Sequence, residues 1–503
     1  MRQMLKLGIV VASMVMAQVG SAQARVVRTG DGRVEGTEAE GVMVFRGIPY
    51  AAPPVGALRW RAPQPMKPWR GIKPAVEFGS ACVQKVAKQD PEKSLENFPQ
   101  SEDCLTLNVW SPKARQGVRL PVMVWIHGGS FRFGAGSLST YDGSALAQRG
   151  VVVVTINYRL GLFGTFAHPT LQMAGEPDGN YGLLDAIAAL RWVRRNAGSF
   201  GGDANSVTLF GESAGGVSVG YLMASPLAAG LFDRAIIQSG GLYIPELSKR
   251  DAQAVAARVA EELGAHNAAE LRALSAMSLR DANTSAGETM PFIDGTVVRE
   301  KTHEAFTAGR TNRFPLLIGY NDAEAGFFGP GYWKGLPSEV GQDGWNRLSS
   351  KCFGYGGEDT DSCAEQTASE LFAGVNSRRI ARGASRQAPV WMYRFSWLPS
   401  RERGPLKGAI HTAEIPYVFG HIAAGDRDRD DGKSQTLSSQ IMERWIGFAR
   451  TGRPELRAGD WPRYLAGNDE RVKNFDGERN EPALNPADAL LDELERSALP
   501  ARP

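Results

Sequence analysis

The pattern Gly-x-Ser-x-Gly occurs twice in succession, centred on Ser213 and on Ser218. This spacing is typical of a sharp turn between a strand and a helix that exposes a serine hydroxyl as a nucleophile. The turn requires small neighbours because its backbone is strained and closely packed. Ser213 follows the apolar run 207–210, whereas Ser218 falls inside the helix predicted to come next. We therefore predict that Ser213 is a nucleophile and that Ser218 is an ordinary helix residue.

A glycine pair upstream of the serine supplies a second chemical feature. Attack of a serine on a carbonyl carbon places negative charge on the carbonyl oxygen, and backbone N–H groups fixed in advance stabilise that charge. The residue after the nucleophile, Ala214, is one expected donor. Gly128 and Gly129 follow the apolar run 120–126, and glycine lets a backbone approach a substrate closely. Alone the pair would indicate a tight turn, but upstream of a nucleophilic serine it predicts an oxyanion hole formed with Ala214.

A serine nucleophile needs a general base, and the chain contains 6 histidines. In folds with this type of serine turn the chain order is serine, acid, histidine, so the base must follow Ser213. His266 and His303 lie in charged, helical stretches that are typical of a surface. His411 follows the segment Gly-Ala-Ile at an expected strand edge, and we predict it as the base, with His421 as the alternative. An unperturbed histidine titrates near ~6.5, so we expect activity to rise around pH 6 to 7.5.

The acid that orients the histidine must lie between Ser213 and His411. A predicted strand that begins at Pro315 is followed by the sequence Asn-Asp-Ala-Glu-Ala-Gly, residues 321–326. A carboxylate at the carboxyl end of a sheet strand can reach the active face. We predict Glu324 as the acid and Asp322 as the alternative, against the simpler interpretation that both are solvated loop residues.

The elements that position these residues follow from the hydrophobic pattern. Helical spacing predicts helices over 181–195 and 214–223. Buried strands that alternate with helices predict an α/β fold, with a mainly parallel sheet covered on both faces. We expect segments 241–309 and 329–387 to be insertions above the active-site edge. After short antiparallel strands within 30–45, the predicted strands are 120–126, 151–156, 206–210, 234–238, 315–318 and 390–395.

The composition of the 503 residues, 43% hydrophobic and 22% charged, is that of an ordinary soluble globular protein. The net charge is +3 and basic residues are not densely clustered, so we expect no nucleic-acid partner. The N-terminus combines a basic start, an apolar run shorter than the ~20 residues that span a bilayer, and the small-x-small pattern Ala-Gln-Ala at 22–24. This predicts a cleaved signal peptide over 1–24, export to the periplasm or beyond, no remaining membrane anchor, and one catalytic domain over 25–503.

Cysteine usage agrees with export, because disulfides form in oxidising compartments. Cys82, Cys104, Cys352 and Cys363 allow more than one pairing, of which Cys82 with Cys104 and Cys352 with Cys363 close the shortest loops. A zinc site is not favoured, because no two of them have C-x₂-C spacing and no histidine is near them in sequence. We predict two disulfides, no metal, no cofactor, and a chain that is monomeric or weakly dimeric.

Longer motifs give the chain a family resemblance. Residues 101–110 read Ser-Glu-Asp-Cys-Leu-Thr-Leu-Asn-Val-Trp, and residues 210–216 read Phe-Gly-Glu-Ser-Ala-Gly-Gly. Residues 411–420 read His-Thr-Ala-Glu-Ile-Pro-Tyr-Val-Phe-Gly, and further matches lie at 45–60 and 445–454. In these segments the chain resembles the type-B carboxylesterases, which include cholinesterases and bacterial esterases active on nitrobenzyl esters. The resemblance covers nearly the whole mature chain.

The resemblance implies an α/β-hydrolase fold and the hydrolysis of small-molecule carboxylic esters without a cofactor. It matches Cys82 and Cys104 to the first disulfide of the family. The family usually has aspartate directly before the acid and glycine directly after it, where this chain has Ala323 and Ala325. The positions carried over are the triad Ser213, Glu324 and His411 and the oxyanion positions Gly128, Gly129 and Ala214.

Two other functions are open to the same scaffold. The resembled family includes adhesion proteins that have lost the triad, and a fold alone does not fix function. An amidase or an acyltransferase would use the same site. A complete triad favours the hydrolase over a binding protein.

Overall fold

The structure is a computed structural model that describes residues 23–85, 98–113, 117–241, 246–352, 360–399, 402, 407–422, 432–478 and 480–497. Its strands are β1 (Gln23–Arg28), β2 (Arg33–Ala39), β3 (Val42–Pro49), β4 (Ile72–Pro74), β5 (Ala81–Cys82), β6 (Gln100–Ser101), β7 (Thr106–Pro112), β8 (Leu120–Ile126), β9 (Val152–Ile156), β10 (Gly202–Glu212), β11 (Arg234–Gln238), β12 (Leu247–Ser248), β13 (Phe292–Ile293), β14 (Leu316–Asn321), β15 (Val390–Phe395), β16 (Val472–Phe475) and β17 (Pro482–Ala483).

The helices surround these strands, and a single π-helical turn at 370–374 joins two of them. They are α1 (Ser144–Gln148), α2 (Gly161–Thr165), α3 (Tyr181–Asn196), α4 (Ala214–Ala224), α5 (Lys249–Glu262), α6 (Ala268–Ala273), α7 (Ala276–Asp281), α8 (Thr302–Thr307), α9 (Leu336–Ser349), α10 (Thr360–Ser369), α11 (Val375–Ser385), α12 (Ile415–Phe419), α13 (Lys433–Thr451) and α14 (Asp488–Ser497).

A 13-stranded sheet forms the centre of the molecule, in the order β1-β2-β3-β7-β9-β8-β10-β11-β14-β15-β16-β17, with β4 beside β2. Its middle, from β9 to β16, is parallel throughout. The outer pairs are antiparallel, among them β2 with β3 and β16 with β17, except that β4 runs parallel to β2. The predicted α/β fold with a mainly parallel sheet is therefore confirmed, and so is the antiparallel start of the chain.

The central strands are buried on both faces because helices cover both. Side chains alternate between the faces of a strand, so neighbouring residues of β8 enter different cores. Val122 and Val124 pack in the core that contains α3 and α4. Met123 and Trp125 pack in the core that contains α12 and α13. A strand with apolar contacts on both sides reads in sequence as a continuous apolar run, and this is why these strands are visible without a structure.

The predicted insertions hold α5 to α8 and α9 to α11. Both predicted disulfides are present, Cys82–Cys104 and Cys352–Cys363. The strand expected at 206–210 is longer, because β10 begins at Gly202 and continues past a register shift to Glu212. The predicted signal peptide lies outside the described residues except for its last two, which begin β1. Within the described ranges no helix combines the length and apolar character needed to cross a bilayer.

Candidate active site

Ser213 lies in the turn between β10 and α4, with φ 54° and ψ −125°, a backbone conformation that L-residues rarely adopt. Its N–H donates to the carbonyl oxygen of Gln238 over 2.9 Å. A methyl group on Gly215 would lie 2.0 Å from the carbonyl oxygen of Ile126, so that position accepts only glycine. Ser218 lies inside α4, where its hydroxyl donates to the carbonyl oxygen of Ala214 over 2.9 Å. The strained turn is thus centred on the predicted nucleophile and not on Ser218.

Glu324 contacts His411 directly, since its Oε2 lies 2.5 Å from Nδ1 of the imidazole. Both side chains are buried. The other carboxylate oxygen, Oε1, accepts the backbone N–H of Asn321 over 2.7 Å and the hydroxyl of Ser239 over 2.6 Å. A carboxylate held at both oxygens has a fixed orientation, and it fixes in turn which imidazole nitrogen carries the proton.

The alternatives for base and acid lie elsewhere. Asp322 is buried, but its Oδ1 accepts the backbone N–H of Ala409 over 2.7 Å and it does not contact the imidazole of His411 among the bonds of the described residues. His421 is more exposed, and its Nε2 lies 2.9 Å from the carbonyl oxygen of Asp142. The structure thus brings Glu324 and His411 into contact, whereas these bonds of Asp322 and His421 go to other groups.

Glu212, which sequence analysis did not single out, lies directly before Ser213 and is buried. Its Oε1 is 3.3 Å from Nε2 of His411, the nitrogen that faces away from Glu324. A methyl group on Gly128 would lie 2.9 Å from Oε2 of Glu212. The available signal in the sequence was an acidic residue at the end of the apolar run that becomes β10, because carboxylates are almost never fully buried without a partner.

The surroundings of His411 act on its charge in opposite directions. Burial disfavours the imidazolium ion, whereas the carboxylates of Glu212, Glu324 and Glu414 favour it, and the balance raises the pKa of His411 to about 9. An ordinary histidine value is therefore not expected here. If His411 is the general base, we therefore expect activity to rise at a higher pH than the range that the sequence suggested.

A second layer of buried polar groups lies beneath the imidazole. Glu414 comes three residues after His411, and burial followed by the charge of Glu324 raises its pKa. Its carboxylate accepts the side-chain amides of Asn321, over 2.7 Å, and of Gln238, over 3.1 Å. These bonds hold the segment that carries the histidine against the ends of β11 and β14.

Among the residues of the predicted oxyanion hole, Gly128 packs closely against Ser213. A methyl group on it would lie 3.1 Å from Cβ of Ser213. Gly129 has φ 101°, and a methyl group there would lie 2.0 Å from the carbonyl oxygen of Phe133. The preceding His127 is buried with its Nδ1 2.8 Å from the carbonyl oxygen of Gly128. Ala214, the remaining predicted donor, is the first residue of α4, where backbone N–H groups have no helical partner.

Aromatic rings form a wall beside the imidazole. The ring centroids of Phe327, Phe328 and Phe372 lie 5.6, 6.0 and 5.5 Å from that of His411. Phe328 is 42% exposed, which makes it one of the large apolar side chains that remain open to solvent. The wall suits the apolar part of a bound molecule. Among the residues that the structure describes, no group of His, Cys, Asp or Glu side chains is arranged to hold a metal ion.

Comparison with known proteins gives extensive similarity. The profile of the carboxylesterase family matches residues 23–352 and 356–488, which include every member of the candidate site. The chain is 39% identical over 466 residues to para-nitrobenzyl esterase of Bacillus subtilis (strain 168), with 88% of this chain and 92% of that protein covered. It is 36% identical over 469 residues to fumonisin B1 esterase of Sphingopyxis macrogoltabida, covering 87% of this chain and 84% of that one. A solved structure of PNB esterase, 34% identical, covers 94% of this chain and 100% of its own with a TM-score of 0.79.

Proposed function

Because the chain belongs to the carboxylesterase family and is a carboxylic ester hydrolase, we propose that it works through an acyl-enzyme intermediate on Ser213. The family membership agrees with the resemblance inferred from the sequence motifs. The observation that carries the mechanism is the contact of 2.5 Å between Glu324 and His411. The serine in its strained turn directly follows Glu212, whose carboxylate lies 3.3 Å from Nε2 of the same histidine. Small-molecule esters are the substrates that the family implies.

In this mechanism the hydroxyl oxygen of Ser213 attacks the ester carbonyl carbon while Nε2 of His411 takes the hydroxyl proton. The same nitrogen then donates that proton to the leaving alcohol. Water attacks the acyl-enzyme by the same route and releases the acid. Glu324 keeps the proton of the imidazole on Nδ1, so that Nε2 is free to act as the base.

The backbone N–H groups of Gly128, Gly129 and Ala214 stabilise the oxyanion of each tetrahedral intermediate. Loss of one such donor typically lowers the rate by ~10²–10³. The glycines are required here because side chains would collide with Glu212 and with Phe133.

Glu212 takes part through charge. Its carboxylate faces Nε2 of His411, so it stabilises the imidazolium ion that forms when the serine proton is transferred. Because the pKa of His411 is about 9, most of the free enzyme is in the protonated, inactive form at neutral pH, and the interaction with Glu212 contributes to this. Glu212 thus stabilises the charged intermediate and at the same time lowers the activity at low pH.

We propose a neutral ester with a medium-sized acyl or alcohol group as the substrate. The aromatic wall of Phe327, Phe328 and Phe372 provides apolar contact beside the reacting centre. The name of one relative, para-nitrobenzyl esterase, refers to an aromatic ester, and this agrees with the proposal. A choline ester is not favoured. A quaternary ammonium ion is best held over an aromatic ring such as that of tryptophan, and the loop closed by the Cys82–Cys104 disulfide, residues 83–103, contains no tryptophan.

We also propose export to the periplasm or the medium after cleavage of residues 1–24. Two disulfides support an oxidising compartment. Mass spectrometry of the protein recovered from the periplasm and the medium tests this, with an N-terminus at Arg25 expected and an intact Met1 contradicting it.

The function is tested with a panel of neutral esters of varied acyl and alcohol length, on wild-type protein and on Ser213→Ala. We expect hydrolysis by the wild type and a loss of several orders of magnitude in kcat for the variant, because the triad acts as a unit. Ser218→Ala is the matched control, since it removes a neighbouring serine hydroxyl from α4 whose bond goes to the carbonyl oxygen of Ala214 and not to its N–H group. If Ser218→Ala is the inactive variant and Ser213→Ala the active one, the assignment of the nucleophile is wrong.

A further inference from the structure

We propose that Asp322 is a positioning residue, whose carboxylate holds the segment that carries His411 against the turn that carries Glu324. The inference rests on the proposed function, in which the contact between these two side chains orients the catalytic base. It concerns a residue that sequence reasoning treated only as an alternative acid.

The described residues directly before His411, 407–410, have no regular secondary structure, so a strand ladder does not set their position. Its backbone is instead bonded to the turn at the end of β14. The N–H of Ala409 donates to Oδ1 of Asp322 over 2.7 Å, and the carbonyl oxygen of Ala409 accepts the N–H of Ala323 over 2.9 Å. Ala409 precedes the histidine by two residues, and Asp322 precedes Glu324 by two. The two bonds therefore form a clamp with both catalytic side chains just beyond it.

The side chain of Asn321 adds a further bond to the same segment. The carbonyl oxygen of Ile410 accepts the side-chain amide of Asn321 over 2.9 Å. The backbone N–H of Asp322 is itself committed to the carbonyl oxygen of Phe395 over 3.0 Å, which ties the turn to β15. Asp322 is thus fixed by the sheet on one side and fixes the histidine segment on the other.

A buried arginine orients the Asp322 carboxylate. Nη1 of Arg394, on β15, lies 3.7 Å from Oδ2 of Asp322, and its Nη2 lies 3.9 Å from Oε1 of Glu370. Oδ2 therefore faces the cation and Oδ1 is left for Ala409. Buried charges need partners, so the arginine and both carboxylates constrain one another. Burial raises the pKa of Glu370, the second carboxylate beside this arginine, to about 7.

The π-helical turn at 370–374 connects this network to the substrate side. It places Glu370 beneath Arg394, and the same turn presents the ring of Phe372 to His411 at a centroid distance of 5.5 Å. A π-turn inserted in a helix often marks a functional position. The clamp therefore lies within the region that shapes the site.

The test compares Asp322→Ala with Asp322→Asn, because asparagine keeps an oxygen that accepts the N–H of Ala409 and alanine does not. We expect Asp322→Ala to lower kcat on the order of 10²-fold with little change in KM, the usual cost of misplacing a catalytic group by about 1 Å. The pH midpoint of kcat/KM should fall, because Glu324 helps to raise the pKa of His411. Asp322→Asn should recover most of the lost kcat. The matched control is Asp469→Asn, which breaks an aspartate–arginine pair outside the site.

A second measurement does not depend on ester hydrolysis. The proton shared by Nδ1 of His411 and Glu324 is followed as a far-downfield proton resonance, assigned by its absence in Glu324→Gln. We expect it to be displaced or lost in Asp322→Ala and kept in Asp322→Asn and in the control, in protein whose circular dichroism is that of the folded wild type. If the wild type hydrolyses no ester while the resonance responds in this way, the proposed function fails and the clamp stands.

Three results would overturn the proposal. One is an unchanged resonance together with an unchanged pH midpoint in folded Asp322→Ala. Another is equal loss of kcat in both variants with normal resonances, which would assign Asp322 only to neutralising Arg394. If Asp322→Ala does not fold, a loss of the resonance and of kcat in Asp322→Asn at wild-type thermal stability also contradicts the clamp.

Discussion

Replacing Glu212 by glutamine is the most informative perturbation of the site, because it removes one charge and almost no volume. The carboxylate oxygen lies 3.3 Å from Nε2 of His411, on the side of the ring opposite Glu324. The base is active only when neutral, so activity rises as the pH passes the pKa of His411. Removing a negative charge that favours the imidazolium lowers this pKa and moves the rise to lower pH.

The size of the shift follows from the distance. At 3.3 Å two unit charges interact by about 5 kcal/mol at an effective dielectric of ~20, and by about 1 kcal/mol in bulk water. One pKa unit corresponds to about 1.4 kcal/mol, so the expected fall lies between about 1 and about 3.5 units. Because the pKa of His411 is about 9 in the intact protein, a fall of this size still leaves it above the pH at which proteins unfold in acid.

The assay is the pH dependence of kcat/KM on an uncharged aryl ester, whose own charge does not change with pH. We expect the midpoint of Glu212→Gln to fall by at least about one unit. The plateau at high pH should also fall, because the imidazolium of the transition state loses its counter-charge. Glu478→Gln, at an exposed loop position, is the control and should reproduce the wild-type profile. A midpoint unchanged in Glu212→Gln would refute the argument that Glu212 sets the charge of the base.

Further predictions address the acid, the turn, the first disulfide and the substrate. Glu324→Gln should fold normally, as a thermal melt would show, and lower kcat by about 10⁴-fold; a loss of less than about tenfold would contradict its role. Gly215→Ala should be destabilised and inactive, because the methyl group would lie 2.0 Å from the carbonyl oxygen of Ile126; a wild-type urea midpoint would contradict this. Replacing both Cys82 and Cys104 by serine should lower the free energy of unfolding by about 3 kcal/mol for a separation of 22 residues, and urea denaturation with no measurable loss would count against it. The ratio of kcat/KM for a choline ester to that for its uncharged carbon isostere should stay below about tenfold, equal to 1.4 kcal/mol, and a larger preference would reveal a cation site.

The sequence predicts those residues whose positions the backbone sets. Ser213 is recognisable because its turn excludes side chains at neighbouring positions, as the contact between Gly215 and Ile126 demonstrates. The strands are recognisable because burial on two faces leaves an uninterrupted apolar run. His411 follows from chain order together with its place at an expected strand edge, without any local signal as strong as that of the serine.

The supporting polar groups were not predictable, because each depends on distances between remote segments. Ser239 bonds to Glu324 although they are 85 residues apart. Trp445 donates to Gln238 over 3.0 Å from a helix 207 residues away. A serine, a glutamine or a buried glutamate has many possible partners in sequence, and only the strand order selects one of them.

That strand order also explains why the site needs a clamp at one point and not at the others. β10, β11 and β14 are neighbours in the sheet, so their carboxyl ends bring Ser213, Ser239 and Glu324 together by backbone pairing alone. His411 follows β15 only after a long connection, so strand pairing does not determine the position or the orientation of its side chain. Its placement comes from the backbone bond between Ala323 and Ala409 and from side-chain bonds to the strand ends, through Asn321, Asp322 and Glu414. Asn321 and Asp322 therefore position the histidine, as the pairing of the strands positions the serine and the acid, although the sequence around them resembles that of an ordinary loop.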